Sequence, residues 1–322
     1  METGRGGIQE DVTTALSPAI PVIASLLLEP PAIAIDSRPP LDLIDYTDLG
    51  LPPLPPTPGL PVYRHPSRAA LRGYAYLRNM GGRADAAALL RKALAVRARL
   101  PAGLEPVARA MFASTRGFQE VAEGHWAVEV EAAALQDLAE GRFVVFDLET
   151  TGGKPPSERI TEIGAVRIEH GRITDTFQTL VNPGKPIPPF VARLTGITDK
   201  SVRRAPRIEK VLPRFLEFIE GHVLIAHDVF QDLRFIDQEI MTTYGGVLAM
   251  PVLDTLTLAK ELVDPEIGFS LRKVAEHLGI DAGSSHRALD DARVTAEMFL
   301  RFMQIKGQGA WAGLLDGYAV RR

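Results

Sequence analysis

Acidic side chains that follow apolar segments are the feature of this sequence best suited to chemistry. In the stretch VVFDLETTGG, Asp147 and Glu149 stand two residues apart, so in a strand both carboxylates would project from the same face. Asp232 comes shortly after the apolar segment HVLIAH, and Asp291 lies in the last helical pattern, five residues after His286. Because binding sites of α/β proteins form where the ends of strands converge at one edge of the sheet, we expect the four acids to meet there.

Such a convergence of carboxylates requires a compensating charge. Two unit charges about 5.5 Å apart repel by roughly 3 kcal/mol at an effective dielectric constant of about 20. Four acids form several such pairs, so the repulsion is comparable to the ~5 to 15 kcal/mol stability of a domain. Protonation or divalent metal must relieve it. Oxygen ligands suit Mg²⁺ or Mn²⁺, and two such ions about 4 Å apart can clamp a phosphodiester for in-line attack.

The segments that would position these acids alternate between strand and helix patterns from residue 142 onward. Strands are predicted at RFVVFDLE, at two alternating segments joined by a tight turn at His170 and Gly171, at HVLIAH and at PVLDT. Helices are predicted at APRIEKVLPRFLEFIEG, from about Asp232 to Tyr244, and at LTLAKEL, SLRKVAEHLG and ALDDARVTAEMFLRFM. This order predicts an α/β fold with a mixed sheet flanked by helices.

Three segments resemble the motifs of the DEDDh 3'-to-5' exonucleases, the family of the proofreading epsilon subunit of bacterial DNA polymerase III: FDLETTG, AHDVFQDLRFIDQE and SSHRALDDA. The likeness spans about residues 142 to 304 and includes LTGIT and DTLTLAK. It implies a ribonuclease-H-like fold with two divalent cations, Mg²⁺ or Mn²⁺. The implied metal ligands are Asp147, Glu149, Asp232 and Asp291, and the implied general base is His286. Contacts to the 3'-terminal nucleotide are implied at Leu148 and Thr150, with Thr195 as a weaker candidate.

The histidine assignment also agrees with general chemistry, since an imidazole with a pKa of about 6.5 is mostly neutral at pH 7 and can accept a proton from water. Arg287 stands four residues before Asp291, which disfavours the sister class with tyrosine there. Where the family usually reads His-Asn-x-x-Phe-Asp, this chain reads HDVFQD, so Asp228 replaces the amide and the phenylalanine is displaced by one. Taken singly, each of these residues could have a common structural role; a histidine before a helix is usually a cap or a surface residue, and Asp232 could interact with the helix dipole. Asp290 is expected to face solvent.

Composition sets broader limits. The 322 residues predict two folded units with linkers, and the absence of cysteine excludes disulfides, thiol catalysis and cysteine-based zinc sites. The apolar stretch ALSPAIPVIASLLLEPPAIAI is interrupted by prolines and by Glu29, so we predict neither a signal peptide nor a membrane span. The expected location of the protein is the cytoplasm.

Charge is distributed unevenly along the chain. Residues 1–60 hold eight acids, two arginines and 11 of the 25 prolines, which predicts a largely disordered acidic arm. Residues 64–117 hold eleven cations against two acids. Three helical patterns and a probable hairpin with its turn near Gly124 make residues 61–135 resemble a small, mostly helical winged-helix module, whose basic face would contact DNA phosphates. Alternatively, the arginines only solvate a small domain or contact the acidic arm.

The sequence therefore predicts an exonuclease domain at 140–305, preceded by the basic module and followed by a short tail at 306–322. Its expected activity is metal-dependent removal of nucleotides from single-stranded or frayed DNA 3' ends in proofreading or repair, with DNA polymerase III as a possible partner. Two alternatives remain open: an exoribonuclease, because the sequence does not reveal how a 2'-hydroxyl is read, and an inactive nucleic-acid-binding module.

Overall fold

The computed structural model describes residues 60–101, 103–130, 141–283, 286–307, 314 and 319–320. The helices are α1 (Arg68–Asn79), α2 (Ala86–Ala93), α3 (Glu105–Phe112), α4 (Pro189–Thr195), α5 (Asp199–Val202), α6 (Ile208–Ile219), α7 (Val229–Tyr244), α8 (Thr255–Leu262), α9 (Leu271–His277) and α10 (Ala288–Lys306). The strands are β1 (Val62–Arg64), β2 (Arg83–Asp85), β3 (Phe118–Ala122), β4 (His125–Val130), β5 (Phe143–Thr150), β6 (Ile160–Glu169), β7 (Arg172–Leu180), β8 (Val223–Ala226), β9 (Gly246–Leu248), β10 (Val252–Asp254) and β11 (Ala319–Val320). No helix among these residues is long and apolar enough to cross a bilayer.

A five-stranded mixed sheet with the order β10-β8-β5-β6-β7 carries the site. Strand β5 pairs in parallel with β8 and antiparallel with β6, and β6 and β7 form the hairpin that the sequence predicts. Its turn contains His170 and Gly171, both with positive φ (52° and 76°), as tight hairpin turns require. Helices cover the sheet, so the predicted mixed sheet flanked by helices is confirmed.

Strand β5 is buried on both faces, and its alternation decides where the acids point. Phe143 and Val145 belong to one apolar cluster together with Phe299 of α10. Val144 and Phe146 belong to a second cluster on the other side of the strand. Because residues two apart share a face, Asp147 and Glu149 continue the face that α10 covers.

Helix α10 lies against the sheet at very close range. A Cβ atom added to Gly164 of β6 would lie 2.2 Å from both Ala288 C and Leu289 N at the start of α10. Only glycine therefore permits this approach, which brings the first turn of the helix, with Asp291, onto the sheet.

The predicted helix from Asp232 begins earlier than expected. Helix α7 starts at Val229, and Asp228 before it adopts the left-handed conformation, with φ 62° and ψ 51°. Aspartate and asparagine tolerate this conformation better than most residues, which gives a physical reason why an aspartate is accommodated at this position. Asp232 consequently lies in the first turn of α7, just beyond the end of β8.

The basic module predicted at residues 61–135, called the basic segment from here on, folds into α1, α2 and α3 with a hairpin of β3 and β4. The turn of this hairpin contains Gly124, as predicted. Strand β2 and the two-residue strand β11 also pair with β4, and Leu77, Leu89, Phe112 and Trp126 are buried in its core. The second helical pattern, RADAAALLRKALAVRARL, is longer than the helix it forms, because α2 ends at Ala93 and the chain turns at Ala95 (φ 57°). The likeness to a winged helix stays a prediction.

The basic segment packs directly on the α/β part. Strand β1 pairs antiparallel with β9, and the fully buried Arg78 of α1 bonds to Asp237 of α7 and to the carbonyl oxygen of Leu248. Residues 58–322 form one compact unit. The predicted acidic arm, the boundary between 135 and 140, and most of the predicted tail lie outside the described residues.

Candidate metal centre and active-site cleft

The structure brings the four predicted acids to one edge of the sheet. Asp147 and Glu149 approach from β5, Asp232 from the first turn of α7 and Asp291 from the first turn of α10. Asp232 and Asp291 are only 9% and 8% exposed. Asp147 lies close enough to the other three for their charges to interact with it. Four carboxylates from three separate elements thus share one partly desolvated space.

Crowding and burial raise the pKa of these carboxyls. Burial, followed by the charges of Asp232, Glu149 and Asp291, raises the pKa of Asp147 well above its ordinary value. Burial and Asp291 raise the pKa of Glu149 to about 7. Burial raises the pKa of Asp232 to about 8, although the Leu148 N–H donates a hydrogen bond to it. The protein alone therefore holds protons that a divalent cation would displace.

The donor set fits a hard divalent cation. Carboxylate oxygens of Glu149 and Asp291 and a ring nitrogen of His286 all lie within 4.8 Å of one another, so the imidazole stands beside acids that could hold an ion. The other two acids, Asp147 and Asp232, also offer carboxylate oxygens, the ligands that Mg²⁺ and Mn²⁺ prefer. The described part of the site offers no thiolate, since the chain has no cysteine.

His286 is exposed at the rim of this cluster in an unusual backbone conformation. Its φ of 76° lies in the left-handed region, which non-glycine residues seldom adopt. Its backbone N–H donates to Asp291 Oδ2 at 2.8 Å. The same carboxylate that faces the cluster therefore fixes the backbone of the predicted general base.

Glu162 is a site residue that sequence reasoning missed. It lies on β6 directly opposite Glu149 and is fully buried. Arg287 Nη2 donates to its Oε1 at 2.7 Å, and the N–H of Ala288 donates to its Oε2 at 3.2 Å. Burial opposes ionisation, but hydrogen bonds from Arg287 and Gln178 hold the pKa of Glu162 below its ordinary value.

The ion pair between Arg287 and Glu162 anchors the chain on the C-terminal side of His286. Arg287 follows His286 directly, so Glu162 holds the start of α10 while Asp291 holds the histidine backbone. The signal available in the sequence was a glutamate inside the apolar strand pattern ITEIGAV, because a buried charge needs a partner.

A cleft of about 390 Å³ opens beside Asp232. Its walls are formed by Leu148, Thr150, Gly152, Gly153, Lys154, Gln231, Asp232 and Phe235. Two of the predicted substrate contacts, Leu148 and Thr150, therefore line a cavity that adjoins the acids. Its volume lies within the range typical of small-molecule sites.

The third predicted substrate residue lies differently. Thr195 is 5% exposed, and its hydroxyl donates to the carbonyl of Val191 while accepting from the N–H of Ile197. Both bonds close the end of α4. Thr195 therefore has a structural role in that turn, and its contact with the terminal nucleotide stays a prediction.

His227 and Asp254 support the loop that carries Asp228. The ring nitrogens of His227 lie 3.0 Å from Thr255 Oγ1 and 2.8 Å from the carbonyl oxygen of Phe269. Asp254 Oδ1 accepts the N–H of Asp228 at 3.0 Å. These bonds hold the left-handed turn from which α7, and with it Asp232, begins.

A nuclease is the class of protein that this fold and its cluster of carboxylates indicate, and comparison with known proteins agrees. The exonuclease family model, RNase_T, matches residues 144–299. The DNA polymerase III subunit epsilon of Aquifex aeolicus is 39% identical over 188 residues, which cover 58% of this chain and 91% of that protein. The chain therefore belongs to the exonuclease family.

Two further matches cover about half of this chain. The PolC-type DNA polymerase III of Caldanaerobacter subterraneus subsp. tengcongensis is 44% identical over 165 residues, or 51% of this chain, and the chain spans only 12% of that relative's length. A solved structure of exonuclease X in complex with 5'-overhanging duplex DNA is 27% identical, covers 54% of this chain and 99% of that chain, and has a TM-score of 0.44.

Proposed function

We propose that this chain is a metal-dependent 3'-to-5' exonuclease that releases mononucleotides from DNA 3' ends. The observation that carries the proposal is the convergence of Asp147, Glu149, Asp232 and Asp291, with raised pKa values, beside His286 and a nucleotide-sized cleft. This combination of groups suits phosphodiester hydrolysis better than any chemistry that needs a thiol or a buried nucleophile.

The four acids would hold two divalent cations, Mg²⁺ or Mn²⁺. When bound, these ions lower the pKa of the attacking water and neutralise charge on the scissile phosphate and on the departing 3'-oxygen. The protein contributes the geometry: three elements fix the carboxylates, and Glu162 with Arg287 fixes the start of α10.

His286 accepts the proton of the attacking water in this proposal. The water oxygen bonds to phosphorus, the bond from phosphorus to the 3'-oxygen breaks, and that oxygen takes up a proton. The products are a nucleoside 5'-monophosphate and a strand shortened by one nucleotide with a new 3'-hydroxyl. Leu148 and Thr150 line the cleft that would hold the terminal nucleotide.

Proofreading or repair is the proposed setting. The Aquifex aeolicus relative is named as a subunit of DNA polymerase III, which supports a place beside a polymerase. A frayed or mismatched 3' end supplies the single strand that the cleft can admit. Accordingly, we expect a mismatched primer terminus to be removed faster than a matched one.

One assay tests the proposal. Matched 5'-labelled DNA and RNA strands are incubated with the protein in Mg²⁺, Mn²⁺ or chelator, and with His286→Ala or Asp147→Ala. We expect a ladder of DNA shortened from the 3' end, which chelator abolishes and both substitutions nearly abolish. Cleavage that persists in chelator would refute the mechanism.

The same assay separates the alternatives. Faster digestion of RNA than of DNA would make the chain an exoribonuclease with the same metal chemistry. Unchanged activity after Asp147→Ala would favour an inactive nucleic-acid-binding module and a contaminating nuclease. The intact set of acids and His286 argues against the inactive alternative.

A further inference from the structure

Four exposed arginines of the basic segment lie on α1 and on the chain that follows α2, and this part of the molecule is here called the α1–α2 basic surface. Its members are Arg68, Arg72, Arg97 and Arg99. Arg68 and Arg72 are one turn apart on α1 and share a face. Arg72 Nε donates to the carbonyl oxygen of Ala93 at 2.8 Å, which places its guanidinium at the end of α2.

The turn after α2 keeps the other two arginines near this point. The N–H of Val96 returns to the carbonyl of Arg91 at 2.9 Å, and Ala95 adopts a left-handed conformation. Arg97 and Arg99 follow immediately on this turn. The contact of Arg72 with Ala93 thus joins α1 to the end of α2, so that cations about 25 residues apart in the sequence lie on adjoining elements.

Counter-charges lie elsewhere within the described part of the basic segment. Glu120 pairs with Arg109 at 2.7 Å, and Asp85 caps the opposite end of α2, about 12 Å away along the helix axis. No carboxylate of the described residues lies within ion-pair distance of Arg68, Arg97 or Arg99. Although the whole chain has a net charge of −4, these arginines therefore contribute positive charge that no described carboxylate neutralises at ion-pair distance.

The surface has a fixed position relative to the nuclease cleft. Both Asp237 oxygens accept from the buried Arg78 of α1, at 3.0 and 2.7 Å. Asp237 also accepts the N–H of Leu248 at 2.9 Å, so α1, α7 and β9 are joined in one network. Asp237 lies five residues after Asp232 on the same helix, about 7.5 Å along its axis.

We propose that the α1–α2 basic surface binds phosphates of the nucleic-acid strand whose 3' end occupies the cleft. The inference rests on the proposed function, because a strand held at its end must lay its preceding phosphates along the protein. Guanidinium groups pair bidentately with phosphate oxygens and are always charged, and the strand in the cleft brings such phosphates with it, which favours this occupant. A rigid connection through Arg78 lets both contacts act on one strand together.

The test neutralises the surface without touching the cleft. The full chain carries Arg68→Gln, Arg97→Gln and Arg99→Gln, while Arg72 is kept because its hydrogen bond connects α1 to α2. The matched control removes the same charge from exposed arginines of β7, α6 and α10: Arg172→Gln, Arg214→Gln and Arg301→Gln. KM, kcat and equilibrium binding by fluorescence anisotropy are measured over a range of salt concentrations.

We expect KM for a single strand longer than about 16 nucleotides to rise roughly tenfold in the triple variant, with kcat unchanged. The slope of log affinity against log salt should become shallower by about 0.7 for each lost contact, or about 2 in total. Kinetics on a trinucleotide, which leaves few phosphates outside the cleft, should match the wild type. The control variant should keep the wild-type slope.

Two outcomes would overturn this assignment. One is an unchanged salt slope in the triple variant, and the other is an equal loss on the trinucleotide, which would indicate damage to the nuclease itself. Failure of the proposed function looks different: the wild type would show no chelator-sensitive cleavage. Anisotropy with the same labelled strand would still report whether the basic surface binds it.

Discussion

His286 shows how single residues are held for chemistry in this protein. Its left-handed backbone is unfavourable for an L-residue by roughly 1 to 2 kcal/mol. The conformation persists because Asp291 accepts its N–H and because Arg287, the next residue, is anchored on Glu162. Backbone strain that neighbouring bonds compensate is common at active sites.

We expect His286→Ala to lower kcat by about 100- to 10,000-fold, the usual contribution of a general base. KM should change little, since His286 lies at the rim of the metal cluster and does not line the cleft. Asparagine tolerates the left-handed conformation but cannot act as a base at neutral pH. His286→Asn is therefore the control, and steady-state kinetics should show the same loss of kcat. An active His286→Asn variant would contradict the assignment.

The carboxyl groups predict how stability depends on pH in chelator. The pKa of Glu149 is raised to about 7 and that of Asp232 to about 8, so the folded state binds more protons than the unfolded state above about pH 4. The free energy of unfolding should therefore fall as pH rises from about 5 to about 8, by a few kcal/mol, since a tenfold change in an acid dissociation constant corresponds to about 1.4 kcal/mol. Urea unfolding at a series of pH values measures this fall.

Asp232→Asn and saturating Mn²⁺ are the controls for this pH dependence. Removing one carboxyl should flatten the curve, because the folded state then has one fewer crowded charge. Bound cations should also flatten it, since they displace the protons that the acids otherwise hold. A stability that rises between about pH 5 and pH 8 in chelator would contradict the raised pKa values.

At the scale of elements, the sequence predicted most of what positions the acids. The strand patterns give β5, β8, β10 and the β6–β7 hairpin, because alternation and apolar runs are local signals. It did not reveal the pairing of Glu162 with Arg287, which are 125 residues apart and meet only after β6 and α10 pack together. Contacts between elements depend on packing, and no local pattern encodes them.

The short strands β1 and β9 were also missed, for the same reason. Each is three residues long and becomes a strand only by pairing with the other, across about 180 residues of chain. The predicted start of α7 was late by three residues, because Asp228 gives no ordinary N-cap signal in its left-handed conformation.

The close contact between β6 and α10 makes Gly164 a test of positioning. A methyl group there would lie 2.2 Å from backbone atoms of Ala288 and Leu289, so Gly164→Ala must push the start of α10 away from the sheet. Asp291 and His286 would move with it. Because a displacement of about 1 Å can cost roughly 100-fold, we expect kcat to fall by at least that factor.

Gly73→Ala is the matched control, since its new methyl group would lie 3.3 Å from Leu89 Cδ1, a tight contact with the end of a side chain and not with backbone, so that a small shift of Leu89 relieves it. Its kinetics should equal those of the wild type. Circular dichroism distinguishes a displaced helix from an unfolded protein in Gly164→Ala. A Gly164→Ala variant that is folded and fully active would show that the position of α10 does not govern the site.

For the whole molecule, the buried contact of Arg78 argues that the basic segment is a structural part of the nuclease. Arg78 is fully buried, and its guanidinium bonds to Asn79, Asp237 and Leu248. We expect Arg78→Met to lower the free energy of unfolding by about 3 kcal/mol, because it leaves the mostly buried Asp237 without a counter-charge. Urea unfolding of the full chain measures this loss. If the basic segment and the α/β part fold together, the curve should show one transition.

Asp237→Asn in the same chain supplies the control. The amide oxygen can still accept the N–H of Leu248, while the uncompensated charge disappears, so the double variant should recover a large part of the lost stability. Metal-dependent activity should follow stability in both variants, since Asp237 and Asp232 lie on one helix. If Arg78→Met unfolds in two separate transitions with normal activity, the basic segment is an independent domain, and the single cooperative unit argued here is wrong.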